Sequence, residues 1–350
     1  MPLAHRVHKG TESTENDRDF RETDMLRLPD FDYYAPSTVE EAVRVTADHG
    51  PDSAYVAGGT DLYPNMKRRQ QTPATVVGLS RIPALREISG DPGSGLRIGA
   101  GVTLTRLAED ERVRAAYPSV AYAASTISTP LLRNMGTIGG NLLLDTRCNY
   151  YDQSFEWRKS IDFCMKRDGD ICWVAPSSSV CWAVNSSDEA PLMVALDAKL
   201  RFVSPEGERE IPARELYGAD GINYLTKRPD ELLVDIHLPA VNGWKATYVK
   251  LRRRASFDFP VLGVAAHVKT AADGTVEEAT IVLGAVHPSP RIVEEAGAAL
   301  IGRKLTDEAI AEAGEIAQHQ ARPLDNTDFL PHWRKQVVST YVGRALRQLR

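Results

Sequence analysis

All four cysteines of this 350-residue chain fall between Cys148 and Cys181. They share residues 146–187 with Trp157, Trp173 and Trp182, three of the chain's five tryptophans, and the stretch shows no clear helical or strand periodicity. Regular patterning flanks it on both sides, so it reads as an insertion into an otherwise ordinary fold. Disulfide frameworks belong mainly to small secreted domains. This chain is large, and its opening residues, Met1 to Asp24, are polar and charged with none of the apolar run an export signal needs. The leader, 1–24, is read as a flexible extension, open to being a partner contact or an upstream start. Clustered thiols in a reducing compartment point instead to a metal or a cluster, and the expected location is cytoplasmic. No apolar run reaches the roughly 18–20 residues of a membrane helix. A formal net charge of -5 favours neither nucleic acid nor an anionic membrane.

The spacing is Cys148-x15-Cys164-x7-Cys172-x8-Cys181. It lacks the short Cys-x-x-Cys knuckle usual in structural zinc sites. An all-thiolate set excludes magnesium, calcium and manganese on grounds of softness. Zinc, an iron–sulfur cluster and four buried thiols remain open, although four cysteines in one Trp-rich stretch are not a core-like distribution.

Outside the insertion the patterning predicts an α+β chain. Thr38 with Glu41 predicts a helix start, followed by a strand over 53–57 that runs into Gly58-Gly59-Thr60-Asp61. Strands are expected at 76–79, 96–99 and 200–203, an Ala-rich helix at 115–126, a tight turn at 136–140 and a helix end at 190–196. From Trp244 the pattern is three strands (247–252, 261–269, 279–286, with Asp273-Gly274 as a hairpin turn) and then three helices (291–300, 306–319, 333–349). Strands followed by helices form a domain of their own, 244–350, after a domain spanning 25–243.

Two glycine-rich segments suit a phosphate: Ala57-Gly58-Gly59-Thr60-Asp61-Leu62, and Asn134-Met135-Gly136-Thr137-Ile138-Gly139-Gly140-Asn141-Leu142. Without a Cβ in the way, successive N–H groups converge on an anion. Two such loops suit a pyrophosphate held from both sides, and neither matches the Gly-x-Gly-x-x-Gly fingerprint of a Rossmann site.

These loops, Ser187-Asp188 before an Ala-Leu-rich helix, and Leu232 to Pro239 ahead of Tyr248-Val249-Lys250 resemble the FAD-binding subunit of the xanthine dehydrogenase family, in order from about Leu26 to the C-terminus. The resemblance implies a two-lobed FAD domain of the vanillyl-alcohol-oxidase/CO-dehydrogenase flavoprotein type, followed by a three-strand, three-helix domain. It implies that Val56 to Leu62 and Thr137 to Asn141 hold the FAD pyrophosphate and ribityl, and that Asp188 hydrogen-bonds the cofactor. Leu233 and Lys250 would line the flavin side, with Ile127 as an apolar contact. The insertion resembles that of the 4-hydroxybenzoyl-CoA reductase branch, on Leu144-Asp145-Thr146-Arg147-Cys148, Tyr150-Tyr151, Trp157-Arg158 and the three later cysteines.

That likeness implies a 4Fe-4S cluster on Cys148, Cys164, Cys172 and Cys181. It also implies a molybdenum-cofactor large subunit, a small 2Fe-2S subunit, a ferredoxin-like donor and a dimer of heterotrimers. Electrons would run from a low-potential donor to the cluster and FAD, and then to the 2Fe-2S and molybdenum centres, for reductive dehydroxylation of an aromatic thioester. An oxidative molybdenum hydroxylase with reversed flow and a zinc-stapled non-enzymatic scaffold are the alternatives. No Ser/His/Asp set, His-Glu-x-x-His element or P-loop is present, so no catalytic residue is expected on this chain. His237, His267 and His287 lie in strand-like segments and read as structural. Arg252-Arg253-Arg254 reads as a solvated strand end.

Overall fold

The structure, a computed structural model, describes His5–Arg6 and residues 26–350. The expected leader lies largely outside the described residues. Its His5–Arg6 form a short strand, β1, antiparallel to β2 (Asp32–Tyr34). The chain continues through α1 (Val39–His49), β3 (Ser53–Val56), α2 (Leu62–Lys67) and β4 (Thr75–Gly78). Strands β2 and β3 flank β4 in parallel. The Thr38 hydroxyl caps α1 by accepting from the Glu41 N–H, while the Glu41 carboxylate accepts from the Ser37 N–H at 2.8 Å. That capping pair is the one read from sequence, displaced outward by one residue on the return bond.

A second lobe follows. It comprises β5 (Ile88–Asp91), β6 (Gly95–Gly99), the short helices α3 (Leu104–Glu109), α4 (Glu111–Ala116), α5 (Pro118–Thr126), α6 (Pro130–Arg133) and α7 (Ile138–Leu142), then α8 (Phe155–Ser160) inside the Cys-rich segment. After it come α9 (Glu189–Ala195), β7 (Lys199–Ser204), β8 (Gly207–Pro212) and β9 (Leu232–Leu238). The sheet is antiparallel in the order β5-β6-β9-β7-β8. The helix expected over 115–126 is two helices, because Pro118 starts a new one and biases Tyr117 away from helical backbone. The turn expected at 136–140 is instead the start of α7, where the Thr137 hydroxyl accepts from the Gly140 N–H at 3.1 Å. The two lobes share a core: Val39, Ala42 and Val43 of α1 pack with Val203 of β7 and Leu232 and Val234 of β9.

The C-terminal part contains β10 (Trp244–Leu251), β11 (Leu262–Thr270), β12 (Val276–Gly284), β13 (Arg291–Ile292), α10 (Glu294–Ala298), α11 (Asp307–Gln320) and α12 (Pro331–Arg347). The sheet has a fourth strand, since Arg291 and Ile292 pair with β12 before the helix begins at Glu294; the expectation was three strands and a helix from residue 291. His287 follows β12 rather than lying in it. Both faces of this sheet are buried. Leu262, Val264, Ala266, Ile281 and Leu283 face α11 and α12, whereas Tyr248, Ala265 and Val282 join the core of the second lobe. A sheet covered on both sides explains the near-continuous apolar run of β11.

Residues 146–187 form a framed element. Arg147 and Val184 exchange two backbone hydrogen bonds of 2.8 Å and so pinch its ends together. Asn326 accepts from the Asn149 N–H at 2.9 Å and donates to the Trp182 carbonyl at 2.7 Å, tying both ends to the C-terminal domain. Arg158, fully buried, donates to Arg68 O at 2.8 Å, and Gln70 donates to Tyr151 O at 2.6 Å. Asp162 and Phe163 both have positive φ, 61° and 58°, just before Cys164. Such a reversal costs non-glycine residues about 1–2 kcal/mol each and persists where the surroundings dictate it.

Candidate functional site

The first glycine loop leaves β3 and enters α2. Its backbone donors are free: among the described residues no acceptor meets the N–H groups of Gly58, Gly59 or Thr60. The second loop is different. Its N–H groups are spent internally, Ile138 on Val102 O (3.0 Å), Gly139 on Ala100 O (2.9 Å), Gly140 on the Thr137 hydroxyl and Asn141 on Thr137 O (2.9 Å). The expectation that both loops offer a row of N–H donors is thus corrected for the second. Glycine is needed there for packing, since a Cβ on Gly139 would lie 2.7 Å from Ala100. The loops also interlock: a Cβ on Gly58 would come within 1.8 Å of the Met135 carbonyl oxygen.

Between them opens a cavity of about 550 Å³, in the size range of small-molecule and cofactor sites. Val56 to Leu62 line it on one side and Thr137, Gly139, Gly140 and Asn141 on the other, with Ile127 and Leu233 contributing apolar surface. The structure therefore brings together most of the expected cofactor residues. Three stand apart. Ile138 is fully buried in the core of the second lobe. Asp188 and Lys250 do not line the cavity; they form a buried ion pair of 2.9 Å, joined by the Tyr248 hydroxyl, which donates to Asp188 at 2.8 Å. Lys250 also donates to Thr126 O at 3.1 Å, beside the cavity residue Ile127. Burial pushes the Asp188 carboxyl up despite the pull of Lys250, and pushes the Lys250 amine down. Neighbouring Glu189 is also buried, with no hydrogen-bond partner for either carboxylate oxygen among the described residues, and burial together with the Asp188 charge holds its pKa well above the ordinary value.

The lining carboxylates are already neutralised. Asp61 pairs with Arg147, Asp145 with Lys166 (2.8 Å) and Glu231 with Arg209 (2.5 Å). Arg133 and Lys227 also line the cavity, and both direct a charged group to a backbone carbonyl, Ile127 O and Arg228 O. Burial holds Lys227 down to about 8. Free N–H donors, two cations without a carboxylate partner among the described residues, and apolar walls fit an anionic dinucleotide with a planar ring system. Sequence reading missed Arg133, Lys227, Tyr224 and Phe259; the last three line the cavity from loops with no motif, and Arg133 lines it from the end of α6, three residues before Gly136.

Behind this cavity lies a small chamber lined by all four cysteines together with Tyr151, Met165, Lys166 and Trp173. Each cysteine is at most 8% exposed. Burial pushes the Cys148 thiol up to about 12. Cys172 is held down to about 6 by its hydrogen bond with Cys181, helped by backbone N–H groups of Trp182, Val174 and Ala175. The same bond and burial raise Cys181, while Lys166 pulls it the other way. The Ala183 N–H donates to the Cys181 sulfur at 3.4 Å. Buried thiols met by N–H donors and a cation suit an anionic thiolate centre. Among the described residues no three His, Cys, Asp or Glu side chains are arranged to hold a single metal ion. One ion would draw thiolates to bonds of about 2.3 Å, whereas a cluster sets its own iron and sulfide atoms between them.

The chain matches two family models: the FAD binding domain in molybdopterin dehydrogenase over residues 29–241, and the CO dehydrogenase flavoprotein C-terminal domain over 246–349. It is 35% identical over 279 residues to the aldehyde oxidoreductase FAD-binding subunit PaoB of Escherichia coli, covering 77% of this chain and 86% of that one. It is 29% identical to the carbon monoxide dehydrogenase medium chain of Hydrogenophaga pseudoflava, covering 91% and 96%. In structure it is similar to a chain of the reconstituted CO dehydrogenase from Oligotropha carboxidovorans, with TM-score 0.76, 27% identity and coverage of 92% and 98%. No helix among the described residues is long and apolar enough to cross a membrane.

Proposed function

The chain belongs to the FAD-binding medium subunits of the molybdopterin-dependent xanthine dehydrogenase and CO dehydrogenase family, and we propose that it relays electrons between two redox sites of its own. One observation carries this reading: the four-cysteine chamber adjoins the dinucleotide cavity, since Lys166 of the chamber lining meets Asp145 of the cavity lining at 2.8 Å. FAD, when bound, exchanges electrons singly or in pairs. Gly58, Gly59 and Thr60 supply N–H donors to its pyrophosphate, Arg133 and Lys227 offset its charge, and Ile127 and Leu233 exclude water from its rings. Cys148, Cys164, Cys172 and Cys181 hold a 4Fe-4S cluster, which supplies one-electron chemistry.

In this reading a ferredoxin-like donor delivers low-potential electrons to the subunit. They leave toward a small 2Fe-2S subunit and a molybdenum-cofactor large subunit, in a cytoplasmic dimer of heterotrimers. The large subunit reductively removes a hydroxyl from 4-hydroxybenzoyl-CoA or a similar aromatic thioester, a reaction that disrupts aromaticity and therefore needs low-potential electrons. The relatives favour a second reading, with flow reversed, since they are named as an aldehyde oxidoreductase subunit and a carbon monoxide dehydrogenase chain.

Iron, sulfide, zinc and flavin content of anaerobically purified protein, with a reduced-state EPR spectrum, tests the cofactors. About four irons, four sulfides and one FAD per chain are expected. One zinc without iron overturns the cluster. Donor preference then separates the two directions: a reductase depends on a low-potential donor, and a dehydrogenase passes electrons to an artificial acceptor.

A further inference from the structure

Lys166 and Asp145 form an ordered pair in the wall between the two cavities, beside an Arg147 side chain that is itself paired with Asp61 and Asp152. Lys166 lines the cysteine chamber, and Asp145 lines the dinucleotide cavity. Their side chains are 5% and 4% exposed and meet at 2.8 Å. All three ammonium protons of Lys166 are used, on Asp145 Oδ1 (2.8 Å), Thr146 Oγ1 (2.8 Å) and Gly221 O (2.7 Å). Asp145 Oδ2 accepts from the Tyr151 hydroxyl at 2.8 Å and from Gln71 at 3.2 Å. The Lys166 ammonium also lies 4.8 Å from the Tyr151 ring centroid and 5.1 Å from that of Tyr224. Tyr151 belongs to the cysteine chamber and Tyr224 to the dinucleotide cavity, so the cation sits between one aromatic ring from each side.

A buried pair this well satisfied has a fixed direction. Its positive end faces the thiolates, its negative end faces the dinucleotide, and little water screens either. A centre held by four thiolates is anionic and gains a further negative charge when reduced. A cation beside it favours that reduction, while the carboxylate opposes negative charge accumulating on the flavin side.

Resting on the four-cysteine reading above, we infer that Lys166 is a positioning residue that sets the reduction potential of the cysteine-held centre relative to the flavin, with Asp145 as its counterweight. With both groups bound, the pair would raise the potential of the cysteine-held centre relative to that of the flavin. Lys166 is not one of the four ligands; it acts through its charge in the chamber wall.

The test uses the intact holo complex, with the cysteine-held centre followed by EPR and the flavin by absorbance in one potentiometric titration. K166Q keeps a hydrogen-bond donor in the wall and removes the charge. It should shift the one-electron equilibrium between the centres about tenfold toward the flavin, equivalent to about 59 mV. D145N, which removes the opposing charge, should raise the potential of the cysteine-held centre, and K166R should stay close to wild type. Opposite signs for K166Q and D145N are the signature, because a merely structural wall would move both alike. Shifts of the same sign, or no shift with iron and flavin content intact, overturn the inference. Should K166Q lose its iron, D145N alone decides by its sign. A wild-type complex without iron removes the four-cysteine reading first, a result visible before any variant is made.

Discussion

Substituting Gly58 by alanine separates two reasons for a glycine-rich loop: room for a phosphate, or room for another loop. A Cβ at Gly58 would lie 1.8 Å from the Met135 oxygen, 2.4 Å from its carbonyl carbon and 3.0 Å from the Gly136 nitrogen. All three are backbone atoms, so no rotamer change relieves the clash, and the loops must part by about 1.5 Å to reach ordinary contact. Overpacking of this kind costs about 1–3 kcal/mol. If the cofactor requires the closed arrangement, that cost appears as a loss of FAD affinity of about 5- to 150-fold. Gly140 is the internal control. It lies in the other motif and lines the same cavity, yet a Cβ there meets only the Thr137 hydroxyl, at 3.2 Å. G140A should therefore change affinity much less than G58A. The assay is FAD titration of apo-protein by quenching of protein fluorescence, with thermal unfolding run alongside to confirm that both variants fold. G140A loosening FAD more than G58A would refute the reasoning, because glycine would then be serving the ligand rather than the neighbouring loop.

Other consequences follow from groups buried at the joints of the fold. K250M leaves the Asp188 carboxyl buried without its cation, and loss of one partner of a buried pair costs about 3–5 kcal/mol. The lower end is expected in urea unfolding at neutral pH, because a carboxyl already pushed up relieves itself by taking a proton, and the deficit should shrink as pH falls. Y248F removes only the hydroxyl donated to Asp188 and should cost about 1–2 kcal/mol in the same assay; a loss as large as that of K250M would contradict the assignment. His287 is held down to about 4, mainly by burial, against an ordinary 6.5. The unfolded chain therefore gains a proton there before the folded one, so stability is lost as pH drops from 6.5 toward 4. H287Q should flatten that part of the stability–pH curve, and an unchanged slope would remove His287 as its source.

How much was legible in the sequence differed by region. The first glycine loop could be read directly, because free donors at a strand-to-helix turn are a local property of Gly58-Gly59-Thr60. The second loop looked equivalent and is not, since its N–H groups meet Val102 O and Ala100 O, partners distant in sequence and invisible to a motif. Asp188 and Lys250 were expected at the cofactor, but the structure pairs them across 62 residues and buries them together. Pro118 was in plain view as a helix start, yet the alanine run around it masked the break.

The sequence by itself determined the kind of chain this is: α+β, with a first glycine loop suited to an anion and four thiols confined to one irregular segment. Those properties rest on local chemistry, namely glycine's missing Cβ, the softness of sulfur and the apolar periodicity of strands and helices. Tertiary structure alone decided that the Cys-rich segment is tied down at Arg147, Asn149 and Trp182, and that its cysteines surround one chamber. It alone placed that chamber behind the dinucleotide cavity, with Lys166 and Asp145 between them. The physical reason is that a buried charge is tolerable only where partners from several segments satisfy it. Lys166 draws those partners from Asp145, Thr146 and Gly221, which meet only once the chain has folded.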